Sequence, residues 1–428
     1  MKNVKDYPTK SILLERLFIA FLPPVLIASY FSNISNKVTG AIALFILWAV
    51  AFLELNNRGI IMGGKRALLF LTIALYLLLG SVPMFVNSSS PKPMLRDLLR
   101  YGLVLSALAF GAGDSIRRNF QIFANSTVLT VLMLSIFGFV TLFIGTYSIG
   151  PLTASQYYPL RIGRLTIPTT SSLMKNTNYY AITLAISYAI LKFYGISFIL
   201  RKSKIKYSLE IVLITAVILT KSRVGVALVL LMLAIQFLLW FNKISVRKKW
   251  GFILVGIGVI IGLITINQFE DGRYSVPVIR AFVTVWRDFF LKKGLNMRDI
   301  LWSQGVKLFQ QHPLGFGFGT ISQVLLATGA PTTTVQNTFL TYLLIGGVPL
   351  TALVILIVFL SLIAYLRVYK LIHNIRAELR RFVNTMLAIS LIVLVDGMAR
   401  TYILGGIGFI PFMFSFAILG GIGWINVR

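Results

Sequence analysis

The chain has no cysteine, two histidines and 12 acidic residues among 428 positions. Without cysteine, disulfide and thiolate chemistry are excluded. With only His312 and His373, and no Asp-x-Asp pair, a dense metal-ligand set is absent from the sequence. A hard divalent cation bridging a diphosphate wants one or two carboxylates. The adjacent Glu270 and Asp271 could supply them, but neighbours at the end of an apolar run also form an ordinary solvated turn. The expectation is a site without metal and without a cofactor. Also missing are an internal repeat and any polar stretch long enough to fold as a soluble domain.

What is present is apolar. Hydrophobic residues make up 57% of the chain and the mean hydropathy is +0.85. That composition belongs to an integral membrane protein. Against the few acids stand 41 Lys and Arg residues, a net charge of +29. Such a balance can mark a nucleic-acid binder. Here the cations fall in short loops between apolar runs, the pattern of membrane orientation and of contact with anionic head groups. Membrane lipids are therefore expected partners and nucleic acid is not.

A bilayer-spanning helix needs about 20 apolar residues. Twelve such runs can be marked: 12–31, 38–55, 67–86, 95–112, 124–147, 178–198, 207–222, 224–241, 250–268, 338–366, 382–402 and 405–425. The expected fold is an all-helical, polytopic, single membrane domain over 1–428. The first run carries Pro23-Pro24 in its middle and no small-residue cleavage site, so it reads as a retained span rather than a cleaved signal. Basic clusters such as Arg201-Lys202-Ser203-Lys204 and Arg247-Lys248-Lys249 place both termini in the cytoplasm by the positive-inside rule. The two long loops, 150–177 and 269–337, then face outward. Both are rich in cations despite that rule, and an anionic ligand outside is the simplest reason. In the second loop, 298–310 has helical spacing, with Ile300, Leu301, Val306, Leu308 and Phe309 predicting an amphipathic helix on the membrane surface that ends at His312-Pro313.

Four groups of residues carry chemistry. Thr220-Lys221-Ser222-Arg223-Val224-Gly225 sets two cations between two apolar runs, where charge is expensive and serves a site or caps a helix at the interface. Asn176-Thr177-Asn178 opens another apolar run. Arg298 and Trp302 precede Pro313, Gly315, Gly317 and Gly319, glycines that allow either close backbone packing or contact of amides with a phosphate. Gln336-Asn337 precedes Gly346-Gly347. Beyond these, His312 and Asp299 are candidate bases, and Asp396 and Arg400, four residues apart in one run, are spaced for an intrahelical pair.

In order and placement these groups resemble the O-antigen polymerases and O-antigen ligases, bacterial membrane enzymes of surface-polysaccharide assembly. The family has an Asn-Pro-Asn-like turn where Asn176-Thr177-Asn178 stands, and a Thr-x-Ser-Arg-x-Gly element where 220–225 stands. It has an Arg followed by a proline–glycine turn, matched by Arg298 with Trp302 and Pro313 to Gly317, and a His-Asn pair ahead of a glycine. Here Gln336 replaces that histidine and Thr177 replaces the proline. Glutamine takes no proton at neutral pH, so the likeness is to the polymerase branch before the ligase branch.

The resemblance implies metal-independent, inverting glycosyl transfer from an undecaprenyl-pyrophosphate-linked glycan, on the outer face of the bacterial cytoplasmic membrane. Its implied partners are lipid-linked oligosaccharides and a chain-length regulator protein. Carried onto this chain, it makes Arg223, Arg298, Gln336 and Asn337 the catalytic candidates. Arg161, Arg164, Asn176, Asn178, Lys221, Trp302, His312, Gly315 and Gly317 become the substrate-binding ones. Arginine suits the work independently: its fork meets phosphate oxygens bidentately and it stays charged. The alternatives are a ligase that moves finished glycan onto lipid A core, and a transporter or flippase of lipid-linked sugars. A transporter should show inverted repeats and helices interrupted at mid-membrane.

Overall fold

The structure, a computed structural model, describes residues 9–31, 33–58, 64–87, 91–162, 165–196, 203–241, 298–330, 332–371 and 377–423. The expected span at 250–268, the first part of the second long loop, Arg164, Glu270-Asp271 and His373 lie outside them.

Helices dominate. They are α1 (Thr9–Ala28), α2 (Asn36–Arg58), α3 (Gly64–Asn87), α4 (Pro91–Ala107), α5 (Gly113–Arg118), α6 (Phe120–Ile144), α7 (Thr177–Ala189) and α8 (Ser203–Leu219). There follow α9 (Arg223–Phe241), α10 (Arg298–Gln311), α11 (Ile321–Ala327), α12 (Thr338–Leu371), α13 (Ala377–Gly397) and α14 (Phe409–Gly423). Each of the other eleven expected apolar runs falls on a helix. Five stretches are long and apolar enough to cross a membrane: Lys10–Ala28, Asn36–Arg58, Arg66–Pro83, Phe120–Ile144 and Thr338–Val368. Two shorter apolar helices, Arg223–Phe237 and Phe409–Ile422, lie among them.

The all-helical expectation is corrected in the first long loop. There β1 (Tyr147–Ile149), β2 (Leu152–Ile162) and β3 (Leu165–Ser172) form an antiparallel sheet in the order β1-β2-β3. Ser155 pairs with Ser172, and Arg161 with Thr166. The sheet is tied to the bundle by hydroxyls. Thr141 Oγ1 donates to Thr170 Oγ1 at 2.8 Å, and Ser172 Oγ donates to the Leu134 carbonyl at 2.6 Å.

Helix α7 sits at the centre. Every residue from Tyr180 to Ala189 is buried, and it packs against α6, α8, α9 and α13. Gly225 permits the α7–α9 approach, since a Cβ there would come within 2.6 Å of the Ala181 Cβ. One end of the bundle is held by ion pairs, Arg66 with Asp114, Arg118 with Glu54, and Lys192 with Glu210. At the opposite end α1, α3 and α6 finish and α2, α4, α7, α9 and α12 begin.

The predicted helix in the second loop is present as α10, and His312 follows its end. Its apolar face does not lie on open surface as expected. Leu301 and Leu308 are buried in a small core of their own with Phe316, Leu325, Val335 and Leu340, against which Trp302 and Phe309 pack. The residual Ile300 and Val306 are exposed.

Candidate active site

Two of the expected elements meet through their helix caps. Asn176 caps α7, its side chain accepting from the Asn178 amide at 2.8 Å. Asn178 Oδ1 in turn accepts from Ser222 Oγ at 2.8 Å, and that hydroxyl also accepts from the Gly225 amide at 3.2 Å. Ser222 thus caps α9, as serine does at a helix start, and bridges α7 to α9. Lys221 precedes it with φ 56°, in the left-handed region. The chain reverses there between α8 and α9, which makes Arg223 the first residue of α9.

Arg298 opens α10, and its Nε donates to Gln336 Oε1 at 3.3 Å. Gln336 itself is held at φ 51°, a conformation that costs a non-glycine residue about 1–2 kcal/mol. Asn337 caps α12. Its Oδ1 accepts from the Leu340 amide at 3.0 Å and its Nδ2 donates to the Met398 carbonyl at 3.3 Å. Both ends of that side chain are engaged, so Asn337 positions the turn after α13 rather than pointing at open space.

That turn carries the pair expected from the spacing of Asp396 and Arg400. Asp396 is 0% exposed. Its carboxylate accepts from the Tyr402 hydroxyl and pairs with Arg400 Nε at 3.3 Å. The Arg400 guanidinium lies 5.7 Å over the Tyr179 ring, which stacks on Tyr30 at 4.8 Å. Its Nη2 is buried with no hydrogen-bond partner. Burial pushes the Arg298 guanidinium below the ordinary arginine value; the charge of Arg400 adds to this, Asp396 opposes it and Arg223 adds further. Arg400 and Arg223, from separate parts of the chain, thus both lie near enough to act on Arg298, as does the buried Asp396. Arginine remains charged under such pressure, so the arrangement has the charge to suit an anion.

Two cavities are lined by neighbours of Arg400, Tyr179 in one and Thr401 in the other. On the Tyr179 side, a cavity of about 130 Å³ is lined by Ser29, Tyr30, Asn36, Arg100, Lys175, Tyr179 and Ile407. Its cations come from Arg100, whose Nε is buried without a hydrogen-bond partner, and from Lys175, whose Nζ reaches Asn36 Oδ1 at 3.4 Å. On the other side is a cleft of about 180 Å³ to which Thr401, the next residue, contributes. Neither Tyr179 nor Arg100 carries a spacing signal of its own. Their roles come from helix ends meeting in three dimensions.

The glycines do something other than cradle phosphate. Gly315, Gly317 and Gly319 all adopt positive φ. The Gly315 amide donates to the His312 carbonyl at 2.8 Å, Phe316 to Leu344 at 2.7 Å and Gly317 to Ile345 at 2.8 Å. The acceptors Leu344 and Ile345 stand where α12 breaks at Gly346-Gly347. A Cβ on Gly347 would lie 2.2 Å from the Pro313 carbonyl oxygen. Of the two readings open for Gly315 and Gly317, close backbone packing is the one these hydrogen bonds describe. Their turn drives Phe318 into the bundle against Tyr76 and Tyr101, at 5.6 and 5.4 Å, and so anchors α10 and Arg298.

His312 is exposed, with its ring 4.6 Å from that of Phe316, and Asp299 is exposed beside Arg298. Trp302 faces its small core with its indole N–H buried and unpartnered. Arg161 stands on β2. Among the described residues no group of three or more His, Asp or Glu is gathered where it could hold a metal ion.

Residues 209–355 match the sequence family described as O-antigen ligase. The matched stretch contains 220–225, Arg298, the glycine turn, Gln336-Asn337 and Gly346-Gly347. It leaves Asn176–Asn178, Asp396 and Arg400 outside. No curated protein matches the chain.

Proposed function

We propose that this chain, which carries an O-antigen ligase-family segment in a polytopic helical membrane protein, is a surface-polysaccharide polymerase. It moves a growing glycan from undecaprenyl pyrophosphate to a hydroxyl of a lipid-linked repeat unit at the outer face of the bacterial cytoplasmic membrane. The observation that carries this reading is the convergence of Arg223, Arg298 and Arg400 at one end of the bundle, beside two cavities.

The leaving group is a lipid pyrophosphate, on which negative charge grows as the bond to the anomeric carbon breaks. Fixed cations at that place stabilise the transition state more than the ground state. Gln336 orients Arg298. The Asn178–Ser222 bridge and the Asn337 cap hold α7, α9 and α12 so that the three guanidinium groups keep their places. One direct displacement inverts the anomeric centre. The cationic cavity lined by Arg100 and Lys175 offers a second place for phosphate, which suits a reaction whose two substrates both ride on phosphorylated lipids. A separate chain-length regulator protein, implied by the family likeness, would act on product length rather than on this chemistry.

A second reading, ligation of finished glycan to lipid A core, is favoured by the description of the matched family, which supports it as well as polymerisation. Purified protein given a lipid-linked repeat separates the two. A ladder of products of rising length is expected. Consumption only when lipid A core is present assigns the ligase, and movement of substrate across a vesicle with no new bond assigns a transporter. Activity is expected to persist in excess EDTA; loss restored by magnesium or manganese would overturn the arginine-only account.

A further inference from the structure

We propose that the cleft beside Thr401 is the acceptor-sugar subsite and that Asp97 is the general base for the acceptor hydroxyl. The inference rests on the glycosyl-transfer reading above and adds to it the group that Gln336, which takes no proton, does not supply.

The cleft of about 180 Å³ is walled by hydroxyls from separate elements: Ser322 of α11, Thr333 and Thr334 ahead of Gln336, Thr341 of α12, and Thr401. A hydroxyl both donates and accepts, which is what recognition of a sugar's own hydroxyls asks for. Thr341 and Thr401 stand 3.2 Å apart, oxygen to oxygen. Tyr101 adds a ring to the wall.

The cleft also lies next to the cations. Thr401 follows Arg400 directly, and Thr334 is two residues from Gln336, which touches Arg298. Consecutive Cα atoms are about 3.8 Å apart, so these wall residues lie within about 4 and 7 Å of residues that hold or carry the guanidinium groups, Cα to Cα. A sugar in the cleft is thereby brought beside the place where the donor's pyrophosphate would bind.

Asp97 is the one carboxylate lining the cleft. The other acids described at this end do not line the cleft: Asp396 is fully buried between Arg400 and Tyr402, and Asp299 is exposed on α10. Asp97 Oδ1 accepts from Arg96 Nε at 3.2 Å. Its Oδ2 faces Gly319, another wall residue, where a built Cβ would come within 3.2 Å of it. The same Cβ would stand 2.5 Å from the Pro93 carbonyl oxygen, so glycine at 319 lets α4 bring the carboxylate to the cleft. The charged or titratable groups around Asp97 are Arg96, Arg100 and Tyr101 of its own helix, and the wall residues from other elements carry hydroxyls or alkyl groups only.

The step balances. The acceptor oxygen forms its bond to the donor's anomeric carbon as the bond from that carbon to the pyrophosphate oxygen breaks. The electron pair of the broken bond leaves on the lipid pyrophosphate, held by the arginines. The acceptor proton passes to Asp97 Oδ2 and is later lost to water.

The test uses full-length protein in detergent or nanodiscs, a synthetic lipid-linked repeat, and undecaprenyl pyrophosphate as the binding probe. Asp97→Asn keeps the size of the side chain and is expected to lose about 10²–10⁴-fold in kcat, with undecaprenyl-pyrophosphate affinity and melting temperature unchanged. Thr334→Val and Thr401→Val are expected to raise the acceptor KM several-fold with little change in kcat. Formate should restore part of the rate to Asp97→Ala, which a purely structural aspartate would not allow. Wild-type activity retained by Asp97→Asn, or parallel loss of activity and pyrophosphate binding, overturns the assignment of Asp97. A wild-type protein that neither binds undecaprenyl pyrophosphate nor forms a glycosidic bond overturns the glycosyl-transfer reading itself.

Discussion

Removing a cation has different consequences at different positions of the cluster. Arg298 is half-buried and leans on a neutral partner, Gln336. Arg298→Ala and Arg223→Ala are therefore expected to leave the fold intact and to cost about 10²–10³-fold in turnover, the usual loss for one charge-stabilising donor. Lysine at either place should rescue poorly, because a point charge does not reproduce a bidentate fork. Full activity in the alanine variants would remove both residues from the mechanism. Arg400 differs because its partner Asp396 is 0% exposed. Arg400→Ala strands a buried carboxylate, a change typically worth about 3–5 kcal/mol, so a large fall in melting temperature is expected along with loss of activity. Asp396→Asn combined with Arg400→Gln should recover stability but not turnover; recovery of both would make the pair structural only. Gln336 makes the converse case. Gln336→Gly relieves the left-handed backbone and removes the Arg298 contact, so the protein should melt no lower while its activity drops.

Arg223, Arg298 and the Asp396–Arg400 pair were legible in the sequence because charge in an apolar chain is conspicuous. Tyr179, Tyr30 and Arg100 were not, since an aromatic at a helix end has many uses and a cavity wall has no linear signature. Between the two readings of Gly315 and Gly317 the sequence could not choose, for a related reason. A glycine string shows that backbone comes close to something, without saying whether that is a phosphate or, as here, the carbonyls of a broken helix.

The long apolar helices were legible to within a few residues, because each overlaps an apolar run; the short α5 and α11 were not, since neither is such a run. Asn176, Ser222 and Asn337 are all N-cap types, and each caps a helix beside the site. The sheet was missed because the search followed runs of helix length, and β2 and β3 mix Thr, Ser, Tyr and Pro too freely to form one. The small core that covers α10 was missed because periodicity gives an apolar face but not the element that packs on it. At this scale the α7–α9 contact is the most exposed to test. Gly225→Val puts side-chain atoms where the Ala181 Cβ leaves 2.6 Å for a Cβ alone. Overpacking of that kind costs about 1–3 kcal/mol, and it pushes Ser222 away from Asn178. The melting temperature should fall, and activity should fall further than the loss of folded protein accounts for. Ala181→Gly in the same chain should restore both. Failure of that rescue would separate the helix contact from the site.

Among the described residues, ion pairing differs between the two ends of the bundle. At one end cations meet acids: Arg66 pairs with Asp114, Arg118 with Glu54, and Lys192 with Glu210. At the other, Arg96, Arg100, Lys175, Arg223, Arg298 and Arg400 outnumber the acids described there, Asp97, Asp299 and the buried Asp396. Orientation and function pull against each other in such a chain. The positive-inside rule counts cations in short loops, and the short connections support a cytoplasmic paired end. The proposed function then requires the cation-rich site end to face outward despite its charge, where an anionic substrate would account for it. This ordering is open to a direct test, because α2 ends at the paired end at Arg58 and α3 ends at the site end at Asn87. Alkaline phosphatase, active only outside the cytoplasmic membrane, should be inactive when fused after Arg58 and active when fused after Asn87. The reverse pattern would put Arg223, Arg298 and Arg400 in the cytoplasm. A glycan carried on an outward-facing lipid could not reach them there, and the polymerase and ligase readings would both fall.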